Sequence, residues 1–160
     1  MKKRILNERL AAILASARHG EMIFVADAGS GSSDKALVPL DPSVEYLDLG
    51  VVTGVPSFLD VVTGMAAAGD IESIIVADEM PRVNPAYYQA LVDLVGKENV
   101  WLVRYIPELY DLRNKCKAMV QTGDYGLQGN AILVAGYPSE NIPLKWLMDR
   151  DPETYNEKEK

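Results

Sequence analysis

Cysteine and histidine each occur once among the 160 residues, as Cys116 and His19. A single cysteine excludes an internal disulfide and a cysteine-bound metal cluster, and we interpret Cys116 as a small packed hydrophobe. One histidine, without a hydrated-carboxylate loop, argues against a metal site. Neither a Walker loop nor a dinucleotide fingerprint is present. We therefore expect no metal and no cofactor.

The sequence is also short of positive charge and of long apolar runs. Its 16 basic residues face 23 acidic ones, a formal net charge of −7. Such a surface repels phosphate backbones, so we expect no nucleic-acid partner. No apolar run is long enough to span a bilayer, and the basic residues 1–4 lead into a charged, helix-capping segment rather than an export signal. We expect a cytoplasmic protein without membrane contact.

Apolar residues are plentiful, at 48% of the chain, enough to bury one sizeable core. We predict one domain over residues 1–148. Residues 149–160 are polar and charged, and we predict a mobile tail there.

Strand and helix patterns alternate along the domain. Short, wholly apolar runs are typical of strands covered on both faces of a parallel sheet. Between them, apolar residues recur at helical spacing after cap residues such as Asn7 and Asn84, and glycines stop three of the four helices. Alternation of this kind predicts an α/β layered fold with a mainly parallel sheet. Predicted strands are 22–26, 44–49, 73–77, 100–103, 118–121 and 131–135, and predicted helices lie within 7–20, 55–69, 84–96 and 107–114.

The last two predicted strands are joined by residues 122–130. This connection is too short for a helical crossover, so we predict that the two strands are antiparallel. The predicted fold is a single-domain α/β three-layer sandwich, with a mainly parallel sheet and an antiparallel C-terminal hairpin.

Polar residues gather where the predicted strands end. Asp27 follows the first strand, Asp78 and Glu79 follow another, and the glycine-serine loop 29–33 lies beside Asp27. Because ligands of open α/β sheets bind outside the carboxyl ends of the strands, we expect a site at this edge. Adjacent residues on an extended segment point to opposite sides, so at most one of Asp78 and Glu79 faces it.

His19 does not fit this edge within one chain. A helix runs antiparallel to the strand that follows it, so His19 starts at the amino edge, and only a site shared between subunits would bring it to Asp27. By position alone, His19 is more simply a helix C-terminal cation than a catalyst. Asp27 can serve a ligand or the loop amides.

The loop after Asp27 also permits a phosphate interpretation. Its glycines let backbone amides approach an anion, and Lys35 would add positive charge. A phosphate or nucleotide binder that uses residues 29–35 is therefore a further hypothesis.

Several short segments together point to one family. They are the helix end Arg18-His19-Gly20, the strand Ile23–Ala26 with Asp27-Ala28 after it, Gly54-Val55-Pro56-Ser57-Phe58, Ala77-Asp78-Glu79-Met80 followed by Asn84-Pro85, Thr122-Gly123-Asp124, and Asn130 through Gly136. In this order and spacing they resemble the D-ribose pyranase / L-fucose mutarotase family. The resemblance spans about residues 5–137.

The resemblance implies a Rossmann-like α/β sandwich that interconverts ring forms of a free monosaccharide, without metal or cofactor. His19 would be the general acid/base residue, Asp27 would bind sugar hydroxyls, and Asn130 would bind near the anomeric or ring oxygens. Members are ring-shaped homo-oligomers, pentamers or decamers among them, with sites between subunits. A histidine that titrates near neutrality suits the proton transfers of ring opening.

The sequence departs from the family pattern near the expected site. Where the ribose branch carries a histidine and the fucose branch an arginine, this chain has Ile106, next to Tyr105. The usual Tyr-x-Asn is Gln128-Gly129-Asn130, with Tyr125 as a substitute for the tyrosine. The alternative hypothesis is therefore a non-catalytic sugar-binding or transport-accessory protein on the same scaffold. The substrate-binding candidates are Asp27, Asn130, Gln128, Tyr105, Ile106 and Tyr125.

Overall fold

The computed structural model describes residues 3–138, so the predicted tail and the end of the predicted domain at residue 148 lie outside the described residues. Within residues 3–138 the structure has the six predicted strands and five α-helices, one helix more than the sequence predicts. In chain order they are α1 Glu8–Ser16, β1 Met22–Ala26, β2 Glu45–Asp48, α2 Phe58–Ala68, β3 Ile71–Ala77, α3 Met80–Val83, α4 Pro85–Val95, β4 Val100–Val103, α5 Tyr110–Arg113, β5 Ala118–Gln121 and β6 Ala131–Ala135. No helix in this part of the chain is long and apolar enough to cross a membrane.

Side chains at the helix starts act as the sequence predicts. The side-chain oxygens of Asn7, Ser57 and Asn84 each accept a hydrogen bond from a backbone amide in the first turn of the following helix. These bonds satisfy amides that have no partner inside the helix. The single-turn helix α3 was not predicted, because four residues are too few for a periodic pattern.

Helix α1 ends at Ser16, earlier than the glycine stop in the sequence suggested. Ala17 is extended, and Gly20, at φ +83°, donates its amide to the carbonyl of Ala135 on β6 over 2.8 Å. The chain leaves the helix to reach the sheet, so His19 lies in a turn after the helix and is not a helix-terminal cation.

The strands form one sheet in the order β2-β5-β1-β6-β3-β4. β1 and β2 pair in parallel with β5, and β3 pairs in parallel with β4. β6 lies between β1 and β3 and is antiparallel to both. Five strands therefore run one way and β6 runs the other, which confirms the mainly parallel α/β sheet.

The direction of β6 is as predicted, but its partner is not. β5 and β6 do not form a hairpin, since β1 is inserted between them and pairs with both. The inserted strand adds one strand spacing of about 4.8 Å, which residues 122–130 span with ease. This connection consequently crosses the carboxyl end of β1, directly over Asp27.

Alternating side chains of the sheet build two cores. On β1, Ile23 and Val25 pack with α1, α2 and α4, whereas Phe24 and Ala26 pack on the opposite face with Leu109 and its neighbours. Burial of one such large side chain contributes roughly 1.5–3 kcal/mol. The two cores give the three layers of the predicted sandwich.

Cys116 belongs to the second core. It is buried, its thiol donates to the carbonyl of Leu112, and burial raises its pKa to about 12. A thiol in this state is unreactive, in keeping with the interpretation as a packed hydrophobe.

Candidate functional site

The structure places His19 and Asp27 at opposite ends of β1, and so at the amino edge and the carboxyl edge of the parallel strands. His19 precedes the amino end of β1 and Asp27 follows its carboxyl end. Five residues of strand at about 3.3 Å each separate the two edges by about 16 Å. One monosaccharide cannot contact both residues of the same chain.

At the carboxyl edge, Asp27 and Asn130 hold each other. The Asn130 side-chain amide donates from Nδ2 to Oδ2 of Asp27 over 3.0 Å, and its Oδ1 accepts from the Asp27 backbone amide over 3.0 Å. The Ser30 hydroxyl lies 3.0 Å from Oδ1 of Asp27 and 2.9 Å from Oδ1 of Asn130, and its single proton serves one of them at a time. Asn130 is buried, whereas Asp27 is half-buried and keeps lone pairs for a ligand.

Gln121 fixes the loop that follows Asp27. Its Nε2 lies within hydrogen-bond distance of three carbonyl oxygens, at 3.1 Å from Asp27, 3.3 Å from Ala28 and 2.8 Å from Ser30. Its Oε1 accepts a hydrogen bond from the hydroxyl of Tyr46. Sequence reasoning missed this residue, although a glutamine that ends an otherwise apolar strand at the carboxyl edge is a usable signal.

Three tyrosines line the cleft next to Asp27. Tyr105, Tyr110 and Tyr125 line it together with Gly29, Ser30 and residues 126–128. Two of the three, Tyr105 and Tyr125, are among the predicted binding residues, and Tyr110 was missed.

The hydroxyls of Tyr105 and Tyr110 are hydrogen-bonded to each other at 2.9 Å. Burial raises the pKa of Tyr105 well above its usual value, and the hydrogen bond with Tyr110 and the negative charges of Asp27 and Glu79 raise it further. Both hydroxyl oxygens can accept a hydrogen bond, and only one of the two hydroxyl protons lies between them. The other proton can be donated to a hydroxylated ligand.

Arg113 packs against Tyr110 of this cleft. Its guanidinium lies 4.5 Å from the centre of the Tyr110 ring, and its Nη2 donates to the carbonyls of Val38 and Pro39 at 2.7 and 3.0 Å. The arginine is fully buried, and burial lowers its pKa. It joins the loop before β2 to α5, a role that sequence position alone did not reveal.

Gln128 and Glu79 close the far side of the cleft. Gln128 donates from Nε2 to Oε2 of Glu79 over 3.2 Å, and its backbone has φ +52°. Of the two acids that follow β3, it is therefore Glu79 that contacts the cleft residues. The Asn84 side chain donates to the carbonyl of Leu127 over 3.0 Å, which ties the start of α4 to the same loop.

Asp124 anchors the loop that carries these residues. Its Oδ2 accepts from the Tyr87 hydroxyl at 2.7 Å and from the Phe58 amide at 2.8 Å, and its Oδ1 accepts from the Gly126 amide at 2.6 Å. Burial raises the pKa of Asp124, but the bonds from Tyr87 and the two amides outweigh it, and the net pKa is lowered. Burial and the bond to Asp124 raise the pKa of Tyr87 to about 12.

Two residues that the sequence singled out, Ile106 and Lys35, do not line the cleft. Ile106 is half exposed in the irregular turn Tyr105–Leu109 and is absent from the cleft lining. In loop 29–35, the amide of Lys35 is bonded to the Ser33 hydroxyl, and the exposed Lys35 side chain lies 4.0 Å from Asp34. The geometry therefore gives no support to a phosphate cradle.

At the amino edge, His19 pairs with Glu72. Nε2 of the ring lies 3.1 Å from Oε1 of Glu72, and the Tyr137 ring contacts the imidazole edge-on with centroids 5.8 Å apart. The histidine side chain is 23% exposed, in a cleft between the end of α1 and the end of β6. A partly exposed imidazole held by a carboxylate is suited to proton transfer.

The carboxyl-edge cleft thus offers a carboxylate, amides and neutral phenols around a small space. Such groups hold sugar hydroxyls as acceptors and donors. His19 lies separately, on the opposite edge.

Comparison with known proteins identifies the group to which this chain is similar. A family model described as the RbsD / FucU transport protein family matches residues 1–138. The D-ribose pyranase of Shouchella clausii is 36% identical over 135 residues, which cover 82% of this chain and 94% of that protein. The D-ribose pyranase of Halalkalibacterium halodurans is 34% identical, with 85% of this chain and 98% of that protein covered.

Solved structures agree with this result. Bacillus subtilis RbsD, determined in complex with D-ribose, matches with a TM-score of 0.73 at 31% identity, over 86% of this chain and 98% of that one. The fucose mutarotase of Streptococcus pneumoniae, in complex with L-fucose, matches with a TM-score of 0.64 at 20% identity, over 82% and 94%. At that identity the second likeness concerns the fold alone.

Proposed function

The chain belongs to the RbsD / FucU transport protein family, and from this we propose that it interconverts the ring forms of a free monosaccharide, as a mutarotase or pyranase. The proposal includes a cytoplasmic location and action without metal or cofactor. The single observation that carries it is the similarity to D-ribose pyranases over more than four fifths of the chain. The polar cleft over Asp27 supports it independently.

D-Ribose is the first substrate to consider. The relatives named above are D-ribose pyranases, and the similar solved structure at 31% identity holds D-ribose. The replacement of the branch-specific residue by Ile106 leaves L-fucose and related sugars as the next candidates.

In the proposed binding mode, the carboxyl-edge cleft holds the sugar. Asp27 accepts hydrogen bonds from sugar hydroxyls, and its carboxylate is oriented in advance by Asn130 and Ser30. Tyr105 and Tyr125 supply ring faces and neutral hydroxyls, and Gln128 borders the same space. Because the Asp27 carboxylate is already held by Asn130 and Ser30, little of its conformational entropy is lost on binding.

The proposed acid/base residue is His19 of a neighbouring subunit. The neutral imidazole takes the proton of the anomeric hydroxyl, the bond between the anomeric carbon and the ring oxygen breaks, and the imidazolium returns a proton to the ring oxygen. Rotation exposes the other face of the free carbonyl, and the same transfers in reverse close the ring. No electrons enter or leave, so no redox partner is needed.

This mechanism needs a homo-oligomer. His19 and Asp27 of one chain are about 16 Å apart along β1, so each site takes the histidine from one copy and the cleft from another. A head-to-tail contact whose rotation closes generates a ring, and we propose a ring-shaped pentamer or decamer.

A second candidate function is sugar binding without catalysis, as in a transport-accessory protein. It is favoured by the two departures from the family pattern at Ile106 and Gln128. It predicts affinity for a sugar with no acceleration of ring-form exchange.

Saturation-transfer NMR of anomer and ring-form exchange separates these functions. The wild-type protein is tested on D-ribose, L-fucose, galactose and related sugars, alongside His19→Ala. We expect acceleration for one sugar, and its reduction by about 10²- to 10⁴-fold in the variant, the range for a positioned acid–base group. Arg18→Ala, an exposed neighbour of the histidine, is the matched control and should keep the wild-type rate.

A His19→Ala protein as active as wild type would contradict the assigned mechanism. Sugar binding without acceleration in the wild type would instead establish the second function. Circular dichroism of each variant checks that the fold is retained.

A further inference from the structure

Glu72 is a carboxylate that lies almost entirely out of water at the amino edge of the sheet. Its side chain is 1% exposed, and its Oε1 lies 3.1 Å from Nε2 of His19. A buried carboxylate is costly unless hydrogen bonds compensate it. The contact with the histidine is one of those bonds, and it joins a buried acid to the proposed proton-transfer residue.

The backbone holds both members of this pair. In the β3–β6 ladder, Ile71 and Ser73 pair with consecutive residues of β6, so Glu72 between them is the extra residue of a β-bulge. A bulge changes the direction of a side chain, and bulges are common next to active sites. On the other side, Gly20 donates its amide to Ala135 of β6, which fixes the turn that carries the histidine.

We propose that Glu72 is the positioning residue of His19: it accepts the hydrogen bond from Nε2–H and leaves the lone pair of Nδ1 as the base that exchanges protons with the sugar. This inference rests on the proposed function. Sugar itself touches His19, and Glu72 acts only through the ring.

The chemistry of the pair assigns the proton. Nε2 lies at hydrogen-bond distance from Oε1 of Glu72, and in such a contact the ring N–H donates and the carboxylate oxygen accepts, so we place the proton on Nε2. Within residues 3–138 the ring makes no second hydrogen bond, and Tyr137 packs against it edge-on. Nδ1 is therefore the nitrogen that remains available to a ligand.

The single histidine of the chain makes this assignment directly measurable. With ¹⁵N-labelled histidine, the full-length protein gives one pair of ring-nitrogen signals, read without sugar and at a pH where imidazole is neutral. We expect Nε2 to carry the proton and Nδ1 to be bare. In Glu72→Gln the amide of the new side chain can donate to Nε2, so the proton should move to Nδ1.

Kinetics test the consequence. Glu72→Gln should lower kcat for ring-form exchange by about 10²-fold with KM unchanged, because the sugar-binding cleft is on the opposite edge. Asp70→Asn removes one negative charge from the same cleft without touching the ring, and it should keep the wild-type rate and the wild-type tautomer. A merely structural role for Glu72 would not produce a tautomer shift together with a selective loss of kcat.

The outcomes also separate this proposal from the proposed function. Wild-type protein that accelerates exchange but carries its proton on Nδ1, or a Glu72→Gln protein with the wild-type rate, overturns the role of Glu72 alone. Wild-type protein that accelerates no sugar overturns the function and this role together. The wild-type tautomer can be read even if Glu72→Gln does not fold.

Discussion

In the proposed binding site, Asp27 and Asn130 orient each other through two hydrogen bonds. Asn130 is buried and needs partners for both ends of its amide, and Asp27 supplies them with a backbone N–H and a carboxylate oxygen. In return the carboxylate is held in one orientation. The same two residues therefore satisfy a burial requirement and present lone pairs to the cleft.

Asp124 is an acidic residue whose hydrogen bonds hold the loop over the cleft. It accepts hydrogen bonds from the Tyr87 hydroxyl and from the amides of Phe58 and Gly126. Asparagine at this position keeps one acceptor oxygen, but its NH2 group replaces the other oxygen. That NH2 group would face at least one of these three hydrogen-bond donors and could not accept from it. We expect Asp124→Asn to lower the free energy of unfolding at pH 7 by about 1–3 kcal/mol, measured by urea denaturation.

The pH dependence of that loss tests its cause. Because the pKa of Asp124 is lowered in the folded state, its stabilisation is complete above the ordinary aspartate pKa of about 3.9 and is lost as the pH falls through the lower folded value. The difference between wild type and Asp124→Asn should shrink over that acidic range. A pH-independent difference would contradict the electrostatic explanation, and Asp34→Asn, an exposed aspartate, is the control.

At the scale of elements, the connection between β5 and β6 builds the site. It crosses the end of β1, and it carries Asp124, Tyr125 and Gln128 on its way to Asn130. The two ends of the connection, residues 122–124 and 129–130, are buried, whereas Tyr125 and Leu127 between them are exposed. The insertion of β1 between the last two strands is what places this connection over Asp27.

Gly123 is where this connection passes closest to another loop. A Cβ atom on Gly123 would lie 2.3 Å from the carbonyl oxygen of Val55 and 2.8 Å from that of Val52, and both are backbone atoms. We expect Gly123→Ala to destabilise the protein by about 1–3 kcal/mol in urea denaturation, because the turn must be displaced.

Gly64 provides the matched glycine control. It lies within α2, and an added Cβ would meet only Ile5, at an ordinary distance of 3.7 Å. Alanine is the better helix former by up to about 1 kcal/mol, so Gly64→Ala should stabilise. Equal effects of the two substitutions would show that close backbone approach is not the cause.

At the scale of the whole molecule, the separation of His19 from Asp27 predicts complementation between subunits. His19→Ala and Asp27→Asn subunits should each be inactive alone. When they are co-expressed in equal amounts, about one quarter of the interfaces in a randomly mixed ring should combine an intact histidine with an intact cleft. We expect a partial recovery of ring-form exchange, which the same NMR measurement would detect.

A site within one chain gives the opposite result. Each subunit would then lack one essential residue, and mixing would restore nothing. Sedimentation of the wild-type protein provides the companion measurement, since a monomer at working concentration would contradict the shared site.

The six strands, four of the five helices, the family and five of the residues proposed for the site could be predicted from local patterns in the sequence. Apolar runs, cap residues and glycine stops depend on local physical chemistry, so the six strands and the helix starts at Asn7, Ser57 and Asn84 could be predicted. Asp27 could be predicted as an edge residue because a parallel strand ends at that point. The family followed from motifs that are contiguous in the chain.

Contacts between residues far apart in the chain could be found only from the folded arrangement of the elements. Glu72 contacts His19, which lies 53 positions earlier in the chain. Gln121 binds the loop after Asp27, more than 90 positions earlier, and Arg113 binds the carbonyl of Pro39 in the loop before β2. These contacts depend on strand order and on a β-bulge, which follow from the packing of whole elements and leave no periodic trace in the sequence. For the same reason, the insertion of β1 between β5 and β6 could not be foreseen from the short link that joins them.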